Sequence, residues 1–369
     1  MSMKEKCIEL LDTADIKVSG SRPWDMQVSN ERLYNRLMSE GALGLGEGYM
    51  DGWWEAAHVD QLICKMLSTD IESKINPYKI LFLSLRARFT NLQTLKRAFQ
   101  VGKEHYDIGN RLFEIMLDKR MTYTCGYWRT ATDLDSAQED KLDLVCKKIN
   151  LQPGQHVLDI GCGWGSFAKF AAEKYGARVT GVTISTEQAE LAQESCKGLP
   201  VEIRVQDYRL VEEKFDHIIS LGMFEHVGHK NYREYFKVAN RCLKDEGLFL
   251  LHTIGMLIAN STPNPWLHKY IFPNGQLPTM GLISRATEKL FVIEDMHNFG
   301  AYYDKTLMSW FENFNAGWDE LRADYSERFY RMWKYYLLSC AGAFRARDIQ
   351  LWQLVLSKHG VPGVYERIK

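Results

Sequence analysis

From about Gly102 onward, short apolar runs alternate with longer stretches of helical period. Val157–Ile160, Ala177–Ile184, Val201–Val205, Phe215–Leu221 and Gly247–Ile254 read as strands, several of them rich in β-branched residues. Between them, Ser166–Tyr175, Thr186–Cys196 and Asn231–Leu243 repeat their apolar positions at helical spacing. Such alternation predicts right-handed crossovers and a mostly parallel sheet with helices on both faces, an α/β fold. After Ile254 the order weakens into an insertion, Gly255 to about Lys289, that holds four prolines. A further strand, Phe291–Met296, an aromatic helical region and a last strand, Leu351–Ser357, are expected to close the sheet.

The chain before Gly102 is patterned differently. From Met1 to about Ile75 the runs are short and mixed, which predicts a small, mostly helical N-terminal domain centred on the glycine-rich stretch Glu40–Gly48 and on Tyr49–Trp54. No strand with a following Lys-Ser/Thr accompanies those glycines, so they read as a tight packing turn and not as a phosphate loop. Asn76-Pro77 then breaks the chain. Residues 77–100 carry Lys79, Arg86, Arg88, Lys96 and Arg97 without one Asp or Glu, interleaved with aromatic and aliphatic residues. Two readings fit this segment: an amphipathic helix lying on an anionic bilayer, or a helical linker with its basic face in water. The expected division is 1–76, 77–100 and 101–369.

Composition narrows the possibilities. At 369 residues, 46% hydrophobic and 25% charged, the chain has ample material for a core and no room for long disordered tracts. A formal net charge of -1 argues against a global attraction to nucleic acid or to anionic lipid, so no nucleic-acid partner is expected and any lipid contact must be local. Eight cysteines include no CxxC pair and none of the spacing of a zinc site, which predicts a cytoplasmic protein without metal. The N-terminus mixes Lys4, Glu5, Lys6 and Glu9 into its apolar residues and has no secretory core. The most apolar run, Leu248–Ala259, is about 12 residues long and holds His252, whereas a spanning helix needs about 20. Membrane contact, if it occurs, is therefore peripheral.

Candidate chemistry begins at Asp159-Ile-Gly-Cys-Gly-Trp-Gly165, which ends the first strand and opens a helix, the place where an open α/β sheet binds a nucleotide. Gly161 and Gly163 let the backbone approach a ligand, and Asp159 offers a polar contact. Dinucleotide enzymes use a related turn, but an acid placed before the first glycine favours S-adenosylmethionine. The second strand ends Gly181–Ser185 without the acidic residue that usually holds a ribose, and Gln188, one turn into the next helix, is the natural substitute. Asp207 and Tyr208 follow the third strand, where an acid accepts from an adenine amino group and an aromatic covers the ring.

Several stretches resemble the bacterial cyclopropane-fatty-acyl-phospholipid synthases and the related mycolic-acid cyclopropane synthases. They are Gly44–Trp54, Val101–Asp107, Val157–Gly165, Gly222–Gly228, Leu250–Gly255, Lys269–Gly275 and Ala341–Asp348. The likeness runs from roughly residue 30 to the end and implies a Rossmann-like S-adenosylmethionine-dependent methyltransferase sheet behind a lipid-associated N-terminal domain. It further implies a bicarbonate general base held by Cys125, Glu225, His252, Ile254 and Tyr303, and cofactor contacts at Tyr123, Thr124, Gly161, Gly163, Thr183, Gln188 and the Asp207-Tyr208 region. Thr124 stands where the family has serine and Gly126 where it has alanine. An unsaturated phospholipid in a bilayer, peripheral contact at the inner face of the membrane and a homodimer are also implied.

The chemistry explains such a set. An alkene is a weak nucleophile, so the sulfonium methyl must be held in line with it in a water-poor site. Attack leaves a carbocation, and a base must take a proton from the new methyl before water intercepts. A carboxylate there would collapse onto the cation as an ester; a small exchangeable anion would not. Taken singly, Glu225 reads as a helix cap, His252 as a core histidine, Cys125 as a filler and Tyr303 as a packing aromatic; jointly they read as a site. Phe329, Tyr330, Trp333, Tyr335, Tyr336 and Phe344 are candidates for an acyl tunnel or for core, and Cys340 is expected to be structural. Two alternatives stay open: a methyltransferase giving a branched chain, and a non-catalytic lipid-binding protein.

Overall fold

The computed structural model describes residues 1–69, 109–258 and 264–368. The basic segment 77–100 and the Val101–Asp107 motif lie outside the described residues. By compactness the described chain divides into two units, one from Met1–Thr90, Ala259–Pro273 and Tyr303–Ile349, the other from Asn91–Ile258, Asn274–Tyr302 and Gln350–Lys369.

The first unit is mostly helical. Its opening helix, Met3–Thr13, starts with a reciprocal cap between Ser2 and Glu5. Helices Arg32–Glu40, Ala42–Met50 and Val59–Ser68 follow, with a two-stranded antiparallel pair, β1 (Gln27–Val28) and β2 (Trp54–Glu55). Helices Pro265–Tyr270, Trp318–Leu321 and Glu327–Arg345 come from later in the chain. The glycine-rich stretch, expected as a turn, is instead the helix Ala42–Met50. Its glycines serve close packing: a Cβ on Gly46 would meet the Trp266 ring at 2.4 Å, and one on Gly44 the Arg36 carbonyl at 2.5 Å. Each glycine costs a helix about 1 kcal/mol relative to alanine. Burial of Trp266, whose indole N–H donates to Met50 Sδ at 3.3 Å, offsets part of that. Glu47, on the same helix, accepts from Lys269 Nζ (2.6 Å), from the Tyr270 hydroxyl (2.8 Å) and from Arg36.

The second unit holds a seven-stranded sheet of β3 (His156–Ile160), β4 (Arg178–Thr183), β5 (Val201–Val205), β6 (Phe215–Leu221), β7 (Leu243–Met256), β8 (Val292–Asn298) and β9 (Ile349–Ser357). Their spatial order is β5-β4-β3-β6-β7-β9-β8, with β3 to β7 pairing in parallel and β8 antiparallel to β9. The α/β class and the strands and helices expected from the pattern are those found. Successive side chains feed opposite faces: along β7, Leu248 and Leu250 enter one core, with Phe167, Phe170 and Val145, while Phe249 and Leu251 enter the other, with Phe224, Tyr235 and Trp352. Reversal of strand order between β3 and β6 puts a crevice at the carboxyl ends of these strands. Among the described residues no helix is long and apolar enough to cross a membrane.

Candidate active site

Asp159, buried, is the last but one residue of β3, and the chain leaves the strand through three left-handed glycines, Gly161 (φ 83°), Gly163 (φ 54°) and Gly165 (φ 80°), into the helix Ser166–Tyr175. The amides of Gly161 and Cys162 both donate to the Val182 carbonyl, at 2.9 and 3.1 Å, so β4 anchors the loop. A Cβ on Gly163 would meet nothing within 4 Å, whereas one on Gly161 would strike Met223. Gly163 thus presents bare backbone to open space, the surface a cofactor needs. At the end of β4, Thr183 donates to Gln188 Oε1 at 3.3 Å, which leaves the Gln188 amide nitrogen as its donating end. Gln188 is buried, not a solvated surface glutamine. Asp207 is clamped by Arg209 (Nη2–Oδ2 2.6 Å, Nε–Oδ1 2.8 Å), and Tyr208 packs edge-on against Tyr235. Bare backbone at Gly163, a donor at Gln188 and an acceptor at Asp207 are groups of the kinds that S-adenosylmethionine needs.

Gly222, just past β6, donates its N–H to the His252 carbonyl at 2.9 Å, and the single turn Phe224–His226 that follows carries Glu225. Glu225 caps no helix; its Oε1 accepts the Ile254 amide at 2.6 Å. His252 and Ile254, two apart on β7, share a face of the strand. Glu225 Oε2 and His252 Nε2 are both buried and have no hydrogen-bond partner among the described residues. Unpaired buried polar atoms are costly, so each calls for a polar partner that the described residues do not supply. Burial raises the Glu225 carboxyl to about 7. Burial, with the Lys141 and Lys148 cations nearby, keeps the His252 imidazole well below its ordinary value and therefore neutral.

Cys125 is buried, its thiol donating to the Gly126 carbonyl at 3.2 Å. The loop that carries it is held from the helix Leu134–Lys148: Gln138 Nε2 donates to the Thr124 carbonyl (2.7 Å) and Lys141 Nζ to the Thr124 hydroxyl (2.8 Å). Threonine keeps the hydroxyl that serine would offer. Gly126 lies so close to that helix that a Cβ would come within 2.9 Å of the Ala137 methyl. Tyr123 packs edge-on against Phe113. Tyr303 belongs to the first unit, stacked on Phe344 at 4.5 Å; the other four members of the expected anion set lie in the second. Cys340 is half-buried, and burial pushes its thiol up to about 12, away from thiolate character. Trp333, Tyr335, Tyr336 and Phe344 are buried, Phe329 and Tyr330 half-buried.

Sequence reasoning missed Lys141 and Lys148. Both lie on the buried stripe Leu134, Gln138, Lys141, Val145, Lys148 of one helix. Lysines repeating at seven-residue spacing on an apolar face were the available signal. Burial lowers Lys141 to about 8, and it stands within electrostatic reach of Asp118, Cys125 and Asp159. It therefore supplies the positive charge beneath the loop; Asp159, raised to about 7 by burial, is steadied by it.

A family model described as mycolic acid cyclopropane synthetase matches residues 93–354. The cyclopropane-fatty-acyl-phospholipid synthase of Escherichia coli (strain K12) is 54% identical over 351 residues, 95% of this chain and 92% of that protein. Among solved structures, a cyclopropane synthase from Mycobacterium tuberculosis matches with a TM-score of 0.68 and 32% identity, covering 73% of this chain and all of that one. A mycolic acid cyclopropane synthase solved in complex with SAH and CTAB matches with a TM-score of 0.67 and 32% identity, over 70% of this chain and 98% of that one.

Proposed function

The chain belongs to the mycolic acid cyclopropane synthetase family, and from that premise we propose that it bridges the cis double bond of an unsaturated acyl chain in a membrane phospholipid, with bicarbonate as general base. It is an S-adenosylmethionine-dependent enzyme of the cyclopropane-fatty-acyl-phospholipid synthase type. When bound, S-adenosylmethionine supplies the electrophilic methyl carbon, and bicarbonate supplies a proton acceptor that is exchangeable where a side-chain carboxylate would be trapped as an ester.

The observation that carries the base assignment is the pair of buried atoms Glu225 Oε2 and His252 Nε2, which have no hydrogen-bond partner among the described residues. Glu225 is steered by the Ile254 amide, so its second oxygen is the one turned to accept from the anion's hydroxyl. His252, neutral through the physiological range, donates from Nε2. Cys125 contributes a dry wall and nearby backbone, and Tyr303 enters the set by resemblance. Gly161 and Gly163 bring backbone to the cofactor, Thr183 and Gln188 take its sugar, and Asp207 and Tyr208 take its base. Residues 1–76, with the basic segment 77–100, serve the lipid side. The enzyme works at the inner face of the cell membrane as a homodimer.

Expression in a host lacking such lipids, followed by gas chromatography and mass spectrometry of the fatty acyl esters, tests the reading. Unsaturated chains should gain one methylene and resist the mild hydrogenation that reduces olefins. A methyl-branched product would retain the cofactor site and overturn the cyclised one; unchanged lipids with folded protein present would overturn the reading altogether. Glu225→Gln should lower turnover at least about a hundredfold while leaving S-adenosylmethionine affinity unchanged; lost cofactor binding would show that Glu225 belongs to the other half of the site.

A further inference from the structure

Three neighbouring strands place His252 (β7), Gln353 (β9) and His297 (β8) side by side in the core of the second unit, with Lys148 approaching from the helix Leu134–Lys148. Lys148 Nζ lies 2.8 Å from Gln353 Oε1 and 3.1 Å from His297 Nδ1, and Gln353 Nε2 lies 3.2 Å from His252 Nδ1. Lys148, Gln353 and His252 are all almost fully buried. The cofactor and anion assignment gives Gln353 no role and uses Lys148 only as a charge near His252.

The polarity of this chain follows from what each group is able to do. Burial lowers Lys148 to about 7; in its protonated form it has only protons to give, so the atom of Gln353 facing it at 2.8 Å is the carbonyl oxygen. The amide nitrogen is then left facing His252 Nδ1, and an amide nitrogen only donates. Nδ1 must accept, and a neutral imidazole that accepts at one nitrogen carries its proton on the other. That other nitrogen is Nε2, a buried atom with no hydrogen-bond partner among the described residues.

We propose that Gln353, oriented by Lys148, is a positioning residue that locks neutral His252 in the tautomer with its proton on Nε2, so that the ring offers a donor to the anion. The inference rests on the reading of an anion at Glu225 and His252. In the opposite tautomer a bare Nε2 lone pair would face the anion and repel it, and one donor of the cradle would become its opponent. Two polar residues in the apolar run Leu351–Leu356 and on an apolar helix face, otherwise expensive to bury, acquire a reason to be there.

Imidazole nitrogen NMR of histidine-labelled protein tests this without any turnover. The chain has ten histidines, and His252→Ala identifies the signal by its loss. Wild-type protein should show Nδ1 bare and Nε2 protonated. Gln353→Glu keeps an acceptor for Lys148 but can only accept from the ring as well, so the proton should move to Nδ1 and turnover should fall about a hundredfold, the loss of one cradle donor. Gln353→Met should give a mixture of tautomers and an intermediate loss. A proton on Nδ1 in the wild type, or an unmoved proton in folded Gln353→Glu, overturns the proposal. Should that variant fail to fold, the wild-type spectrum alone decides. Adding bicarbonate should shift the Nε2–H signal; a bound tautomer as assigned with no response to bicarbonate would uphold the lock and sink the base assignment.

Discussion

Glu225 carries a large electrostatic consequence for a single residue. Its folded carboxyl titrates near 7, against an ordinary 4.5, because burial disfavours the charge. The sign follows from linkage: stability held by the protonated form is complete below 4.5 and is lost as pH rises through about 7. Glu225→Gln, which cannot ionise, should therefore gain on wild type across that window and reach an advantage of about 3 kcal/mol above it. Urea melts of both proteins between pH 4.5 and 8 check this, and parallel curves would mean that the carboxyl is solvated. Gly163 makes a second residue-scale case. With φ at 54° and open space over it, Gly163→Ala should cost only about 1 kcal/mol of stability and yet lower S-adenosylmethionine affinity by roughly tenfold or more, because the methyl occupies the cofactor's place. Calorimetric titration beside a thermal melt separates the two effects.

At the scale of elements, two helices show how local composition can be set against local preference. Ala42–Met50 carries three glycines that weaken it as a helix, and the contact with Trp266 is what they permit. Gly46→Ala improves the helix by about 1 kcal/mol but drives a methyl into a buried indole, a strain of about 1–3 kcal/mol. A net loss of stability is expected, with cofactor affinity unchanged because the glycine loop belongs to the other unit. A melt in which Gly46→Ala is more stable than wild type would show that the indole moves aside freely. The helix Leu134–Lys148 is the converse case, well capped by Asp133 and Ser136 but carrying buried lysines. Lys141→Met removes a desolvated cation yet leaves the Thr124 hydroxyl without its donor and Asp159 without its counter-charge. Stability should change little, whereas cofactor affinity should fall, read by the same titration.

At the scale of the whole molecule, the proposed homodimer and peripheral lipid contact predict a single species of twice the chain mass in light scattering, and flotation with vesicles containing anionic phospholipid that weakens with added salt. What the sequence determined alone is considerable: the strands, a mostly parallel sheet and the glycine loop were legible, because hydrophobic period and glycine spacing are local properties of the chain, and the family was legible by resemblance. The same local reasoning took Glu40–Gly48 for a turn, since nothing nearby in sequence announces that Trp266 will fill the space its glycines leave. Glu225, His252 and Ile254 could be named from a resemblance, but only the register of β6 on β7 turns Glu225 Oε1 to the Ile254 amide and leaves Oε2 and His252 Nε2 without a hydrogen-bond partner among the described residues. Lys148 and Gln353, 205 positions apart, meet only because β9 inserts between β7 and β8. Hydrogen-bond polarity in a buried network depends on which groups face one another, and that is a property of packing, which a linear pattern does not contain.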